Sequence, residues 1–198
     1  ATFLNQTEDW ERKITQGKGE AYGAEFLLEK KRGKLTGWLG YTLSWNNRQF
    51  DDINFGKTYP YKFDRRHDIE LVTTYKLKDN IILNATWVYG TGNAITLQES
   101  QYQFHNGSYT QNVTVMGDKN SYRMPAYHRL DLGIEFVKQK KWGERAWNFS
   151  VYNAYNHRNP FYIYLGSDYD EQTHETKKIF KQISLIPILP SFSYRFKF

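Results

Sequence analysis

Side-chain alternation is the feature that most constrains this chain. Seven stretches switch between apolar and polar residues with a period of two, and none repeats at helical spacing. They are Tyr22–Glu29, Leu35–Trp45, Asp68–Leu77, Ile81–Gly90, Arg129–Phe136, Trp147–Asn156 and Ile188–Phe198. The fifth is representative: Leu130, Leu132, Ile134 and Phe136 alternate with Arg129, Asp131, Gly133 and Glu135. A period of two places alternate residues on opposite faces of a strand. The pattern predicts an all-β, antiparallel, up-and-down chain.

The connections alternate as regularly as the side chains. Tight links at Arg32-Gly33, at Lys78-Asp79-Asn80 and at Gln139 to Arg145 take turns with long ones at Asn46 to Phe63, Thr91 to Met124 and the segment before Ile188. In an up-and-down sheet this puts every tight turn at one end and every long loop at the other. A soluble sandwich has no reason to sort its loops, whereas a transmembrane β-barrel has short periplasmic turns and long extracellular loops. Strands of about 10–12 residues at ~3.3 Å each, tilted ~40°, project to about 25–30 Å, the height of such a barrel's apolar band. Aromatics near strand ends, among them Trp45, Tyr75, Trp87, Tyr89, Tyr155 and Phe198, suit interfacial girdles. The polar faces carry Glu25, Glu29, Asp68, Glu70, Arg129, Asp131, Glu135, Arg195 and Lys197, a set that suits a wide hydrated lumen.

Composition removes several alternatives. There are no cysteines, which excludes disulfides, thiolate metal sites and a thiol nucleophile. Mean hydropathy is −0.77, and no apolar run approaches the ~18 residues of a membrane helix. A barrel escapes that test, because its apolar residues occupy only every second position. No signal peptide is visible and the sequence starts at Ala1. The five histidines, His67, His105, His128, His157 and His174, form neither a metal-helix motif nor a partner for a Gly-x-Ser-x-Gly elbow, so no enzymatic activity and no cofactor are expected.

Several ordered stretches narrow the reading further. They are GEAYGAE (19–25), GWLGYTLS (37–44), Tyr59-Pro60, DRRHD (64–68), WVYGTGN (87–93), YHRLDLG (127–133), NAYN (153–156), NPF (159–161) and YRFKF (194–198). As an ordered set they resemble the C-terminal third of the β-barrel of TonB-dependent outer-membrane receptors, particularly those of Bacteroidota. The resemblance runs from about Gly17 to Phe198. It implies a barrel of about 22 strands closed around an N-terminal plug, which binds a ligand at the cell surface of a Gram-negative bacterium and imports it by energy-coupled transport. Residues 1–198 would supply about seven strands, with 1–18 as the end of an extracellular loop and 19–198 as strands and loops; the plug lies outside them. Seven antiparallel strands cannot close alone, since their two edges run the same way. The resemblance implies as partners the rest of the barrel and its plug, the TonB complex through the missing N-terminal part, outer-membrane lipids and lipopolysaccharide, and a surface lipoprotein. Tyr194, Phe196 and the terminal Phe198 resemble the signal read by the outer-membrane assembly machinery. A non-transporting outer-membrane barrel, adhesin or hydrolase, and a soluble β-rich binding protein stay open as alternatives.

Candidate contacts follow from the loops. The Thr91–Met124 connection mixes Tyr102, Phe104, His105, Tyr109 and Tyr122 with Asn, Gln and Ser, a combination suited to binding. Arg65 and Arg66 suit phosphate, in a ligand or in lipopolysaccharide, although a charge-paired rim fixing the strand end is the simpler reading. Asp168, Asp170 and Glu171 offer oxygens for calcium but lack EF-hand spacing, so a solvated acidic loop is simpler. The net charge of +6 concentrates at the tight turns, in Lys30, Lys31, Arg32, Lys34, Lys138, Lys140 and Lys141. Anionic phospholipid headgroups suit these better than nucleic acid, which is not an expected partner.

Overall fold

The computed structural model describes residues 14–107, 109–172 and 174–198. Most of the expected loop end at residues 1–18 therefore lies outside the described residues. Among the described residues there are fourteen strands: β1 (Gly17–Lys30), β2 (Leu35–Phe50), β3 (Tyr59–Pro60), β4 (His67–Lys78), β5 (Ile81–Gly90), β6 (Ala94–Ile95), β7 (Gln98–Asn106), β8 (Tyr109–Met116), β9 (Tyr122–Arg123), β10 (Tyr127–Lys140), β11 (Gly143–Tyr152), β12 (Tyr162–Asp170), β13 (Glu175–Ile183) and β14 (Leu189–Lys197). Among the described residues the only helical element is a single 3-10 turn at Asn54–Gly56.

The principal sheet has the order β1-β2-β4-β5-β10-β11-β14, with β3 paired to β2, and the pairings from β2 to β14 are all antiparallel. All seven alternating stretches became its strands. It is an open sheet with β1 and β14 at its edges. Tight turns join β1 to β2, β4 to β5 and β10 to β11, and long connections join the remaining neighbours. Gly33, at φ 101°, supplies the left-handed residue in the first turn.

Two boundaries differ from expectation. The stretch Trp147–Asn156 stays extended only to Tyr152, because Asn153 and Asn156 adopt φ 54° and 53° and turn the chain. The Thr91–Met124 connection is not irregular: it folds into the β7–β8 hairpin above the short β6–β9 pair. A third hairpin, β12–β13, occupies the connection before β14.

The chain divides into two compact units. The first comprises Ala1–Tyr22, Trp45–Asp64 and Ala94–Arg123; the second comprises Gly23–Ser44, Arg65–Asn93 and Met124–Phe198. The second unit contains most of the sheet, and it is a single layer. Among the described residues only Tyr59, Ala94, Met124 and Ala146 are buried hydrophobics. Two-layer domains bury an apolar face between elements. Here Leu35, Leu39, Leu71, Tyr75, Leu132, Phe136, Trp147, Phe149, Phe192 and Tyr194 all remain exposed.

Candidate functional site

Strand register sorts the second unit's side chains into two faces. Leu39 pairs with Leu71, Leu71 with Trp87, Ala85 with Leu132, Leu132 with Val151 and Phe149 with Phe192, so one face is apolar from β2 to β14. Ring contacts continue it, with Trp147 tilted against Tyr194 at 4.6 Å and Phe149 stacked on Phe192 at 6.2 Å. Soluble monomers rarely expose a contiguous apolar patch beyond a few hundred Å². A shallow hollow of about 600 Å³ interrupts this face where Ala85, Leu132, Val151 and Pro190 meet.

The opposite face is polar and cross-linked. Thr74 Oγ1 donates to Asn84 Oδ1 at 2.9 Å, and the Ser150 and Ser191 hydroxyls meet at 2.7 Å. Arg195 Nη2 donates to Glu135 at 2.9 Å and to Glu144 at 3.3 Å, bridging β14, β10 and β11. Towards the other end of β10, Arg129 donates to the Tyr127 and Tyr152 hydroxyls at 2.9 and 2.7 Å and to Asp131 Oδ2 at 2.9 Å. Its guanidinium also lies 4.1 Å over the Tyr152 ring. The other Asp131 oxygen accepts the Asn153 amide at 2.9 Å. Asn153 is fully buried and exchanges two bonds with the His157 backbone while donating to the Ile186 carbonyl. Sheet polarity and loop anchoring thus form one hydrogen-bonded chain.

In the first unit the anchor is Asp64, which is 1% exposed. It accepts the Asn46 amide at 2.7 Å and is held by Arg123, which reaches both its carboxylate and its backbone carbonyl. Asn120 binds Thr96 Oγ1 through its amide and the Pro60 carbonyl through its side chain. These contacts tie the base of the β7–β8 hairpin to the β2–β4 connection.

The structure divides the expected contact residues. Tyr102, Phe104 and Tyr109 share one exposed face of the β7–β8 hairpin with Val113, as their pairings require. His105 lies on the other face, where Nδ1 meets Thr110 Oγ1 at 2.8 Å beside Gln101, Gln103, Asn112 and Thr114. Tyr122 is apart, on β9. Arg65 pairs with Asp68 at 3.4 Å, and the backbone carbonyls of Arg65 and Arg66 accept the hydroxyl and amide of Ser44, so this segment fastens the β4 end to β2.

The calcium expectation takes a different form. Asp168 faces Lys181 at 3.3 Å and Asp170 faces Lys177 at 3.6 Å, each carboxylate meeting an ammonium from the opposite strand of the β12–β13 hairpin. Among the described residues no group of three metal-ligating side chains converges there or elsewhere. Tyr194 and Phe196 lie on the apolar face of β14, with Phe196 5.3 Å from Trp142 and 4.6 Å from the terminal Phe198.

Sequence reasoning missed the burial of Asp64, Asn120 and Asn153. The Asn-rich NAYN segment carries the one available signal, because asparagine tolerates the left-handed conformation that ends β11. No protein-family model, curated protein or solved structure matches this chain. What the fold itself defines is an all-antiparallel β protein whose single-layered sheet has one bare apolar face and one bonded polar face.

Proposed function

We propose that this chain is the C-terminal wall of an outer-membrane β-barrel of the TonB-dependent receptor type, and that the complete receptor binds a ligand at the cell surface and imports it. The observation that carries the proposal is the bare apolar face, continuous across six strands of the second unit and backed by a polar, hydrogen-bonded and charge-paired face. Lipid is the medium in which such a face costs nothing, and a water-filled lumen suits the other. Sorted connections support the same reading, with three tight turns, two of them basic, at one end and three long, partly folded connections at the other. The parallel edges β1 and β14 accept further strands, as the wall of a larger barrel requires.

In this reading the aromatic face of the β7–β8 hairpin contacts the ligand, and Tyr194, Phe196 and Phe198 serve assembly. The polar face lines the lumen beside the plug. The test uses the complete receptor expressed in its own cells. It should fractionate with the outer membrane, resist extraction by carbonate or urea, and dissolve only in detergent. Recovery in the aqueous fraction without detergent would refute the membrane assignment. Loss of uptake of a ligand on deletion of the TonB-engaging segment, at equal surface level, separates a transporter from a passive barrel.

A further inference from the structure

The apolar face of the second unit changes character towards its tight-turn end. Along the β10–β11 pair Leu132 is opposite Val151, Phe136 is opposite Trp147, and Lys138 is opposite Arg145, all on that one face. Aliphatic residues give way to aromatic and then to cationic ones. Six residues separate Leu132 from Lys138 on β10. That is about 20 Å along a strand and about 15 Å in depth at a tilt of ~40°, half the thickness of a bilayer's hydrocarbon core. The cations therefore fall where headgroups begin if Leu132 lies near the midplane.

Like charges directly opposite each other on a sheet are destabilising. Lys138 and Arg145 are such a pair, and the exposed Lys140 follows on the same face. Among the described residues none of the three forms an ion pair with a carboxylate. Glu135 and Glu144, from the same two strands, lie on the polar face, where Arg195 takes them at 2.9 and 3.3 Å. Arg129 on that face is likewise paired, with Asp131 at 2.9 Å. Arg145 instead lies 4.9 Å over the Trp142 ring and 5.8 Å over that of Phe196, and its Nε has no hydrogen-bond partner. The two rings hold the guanidinium at the edge of the apolar face and leave its charge without a counter-ion.

We propose that Lys138, Lys140 and Arg145 form a seat for the phosphate of an anionic glycerophospholipid, whose acyl chains lie along the apolar face beside Phe136 and Trp147. A guanidinium fork suits phosphate oxygens, and an anion between Lys138 and Arg145 offsets their repulsion. Each cation near a negatively charged bilayer surface adds about fivefold in affinity. A free phosphate ion would meet the cations and gain nothing from the apolar face, so the lipid is the occupant. The proposal rests on the membrane reading and adds to it which lipid this wall selects, and where.

The test reconstitutes the complete receptor in phosphatidylcholine vesicles in which one lipid in ten is photoreactive phosphatidylglycerol, with the reactive group at the top of an acyl chain. Adducts at residues 136–147 should be at least fivefold more abundant than with photoreactive phosphatidylcholine at the same content. Lys138→Gln combined with Arg145→Gln should cut that preference below twofold while labelling by phosphatidylcholine stays equal. Lys30→Gln combined with Lys34→Gln, the same charge change at another tight turn, should leave the preference intact. Sodium phosphate should compete no better than sodium chloride of equal ionic strength. The proposal is overturned by equal labelling with the two lipids, or by a preference that survives loss of Lys138 and Arg145. A preference lost equally in the Lys30 and Lys34 variant overturns it too, and specific competition by sodium phosphate would assign the site to the free ion. In all these cases both lipids still label the apolar face; labelling by neither would refute the membrane reading and this proposal with it.

Discussion

The carboxylate of Asp64 is buried against the guanidinium of Arg123, which also takes the Asp64 backbone carbonyl. Two residues far apart in sequence thus tie the base of the β7–β8 hairpin to the β2–β4 connection. Asp64→Ala removes the buried carboxylate that Arg123 meets and frees the Asn46 amide; a loss of about 3 kcal/mol is expected. Limited proteolysis and amide exchange should then show residues 94–123 opening before the principal sheet does. Equal protection of both regions would contradict the anchoring role.

Asn153 separates side-chain bonding from backbone conformation. It is fully buried, sits at φ 54° and bonds both His157 and Ile186. Asn153→Ala loses the bonds and adds left-handed strain, for an expected cost of about 2–4 kcal/mol. Asn153→Gly loses the bonds alone and should cost about 1 kcal/mol less. Melting temperatures of the pair measure that difference.

The two sheet faces should respond differently to charge. Leu39→Arg and Leu132→Arg lie on the apolar face and should each cost roughly 2–4 kcal/mol in a lipid-folded receptor. Thr42→Arg, on the polar face opposite Asp68, should cost much less. Unfolding titrations in lipid vesicles provide the comparison, and equal responses would remove the lipid-facing assignment.

Sidedness follows from the loop sorting. A cysteine in place of Asn106, at the hairpin tip, should react with an impermeant maleimide on intact cells. One in place of Lys141, in a tight turn, should react only after the outer membrane is opened. Neither site has the positive φ that would strain a cysteine. The reverse labelling pattern would invert the topology.

The hairpin itself can be removed cleanly. Gly117 N–H donates to the Leu97 carbonyl at 2.9 Å, so a short glycine link can replace Gln98–Met116 and leave β6, β9 and the Asp64 anchor in place. In the complete receptor this deletion should abolish most ligand uptake at unchanged surface level. Unchanged uptake would reduce the hairpin to a cover over the barrel mouth.

The seven principal strands were legible because alternation is a local property: each residue's face follows from its parity, whatever the strand pairs with. The tight turns were legible for the same reason, through Gly33 and the short Asp79-Asn80 link. The β7–β8 hairpin was not. Its Gln and Asn residues alternate with Tyr and Phe, but both faces stay wet, so hydrophobic contrast is too small to mark a strand. Nor did the aromatic-rich composition reveal that Tyr102, Phe104 and Tyr109 share one face while His105 and Tyr122 do not.

Sequence by itself therefore determined the seven principal strands, their two faces and the sorting of their connections, since these depend on side-chain type and spacing along one segment. Only the tertiary structure decided that Asp64 is buried, that its carboxylate meets Arg123, and that Asn54 grips the Lys119 backbone. Burial and closure arise when segments distant in the chain come together, and the charge of an aspartate takes its meaning from what then lies beside it.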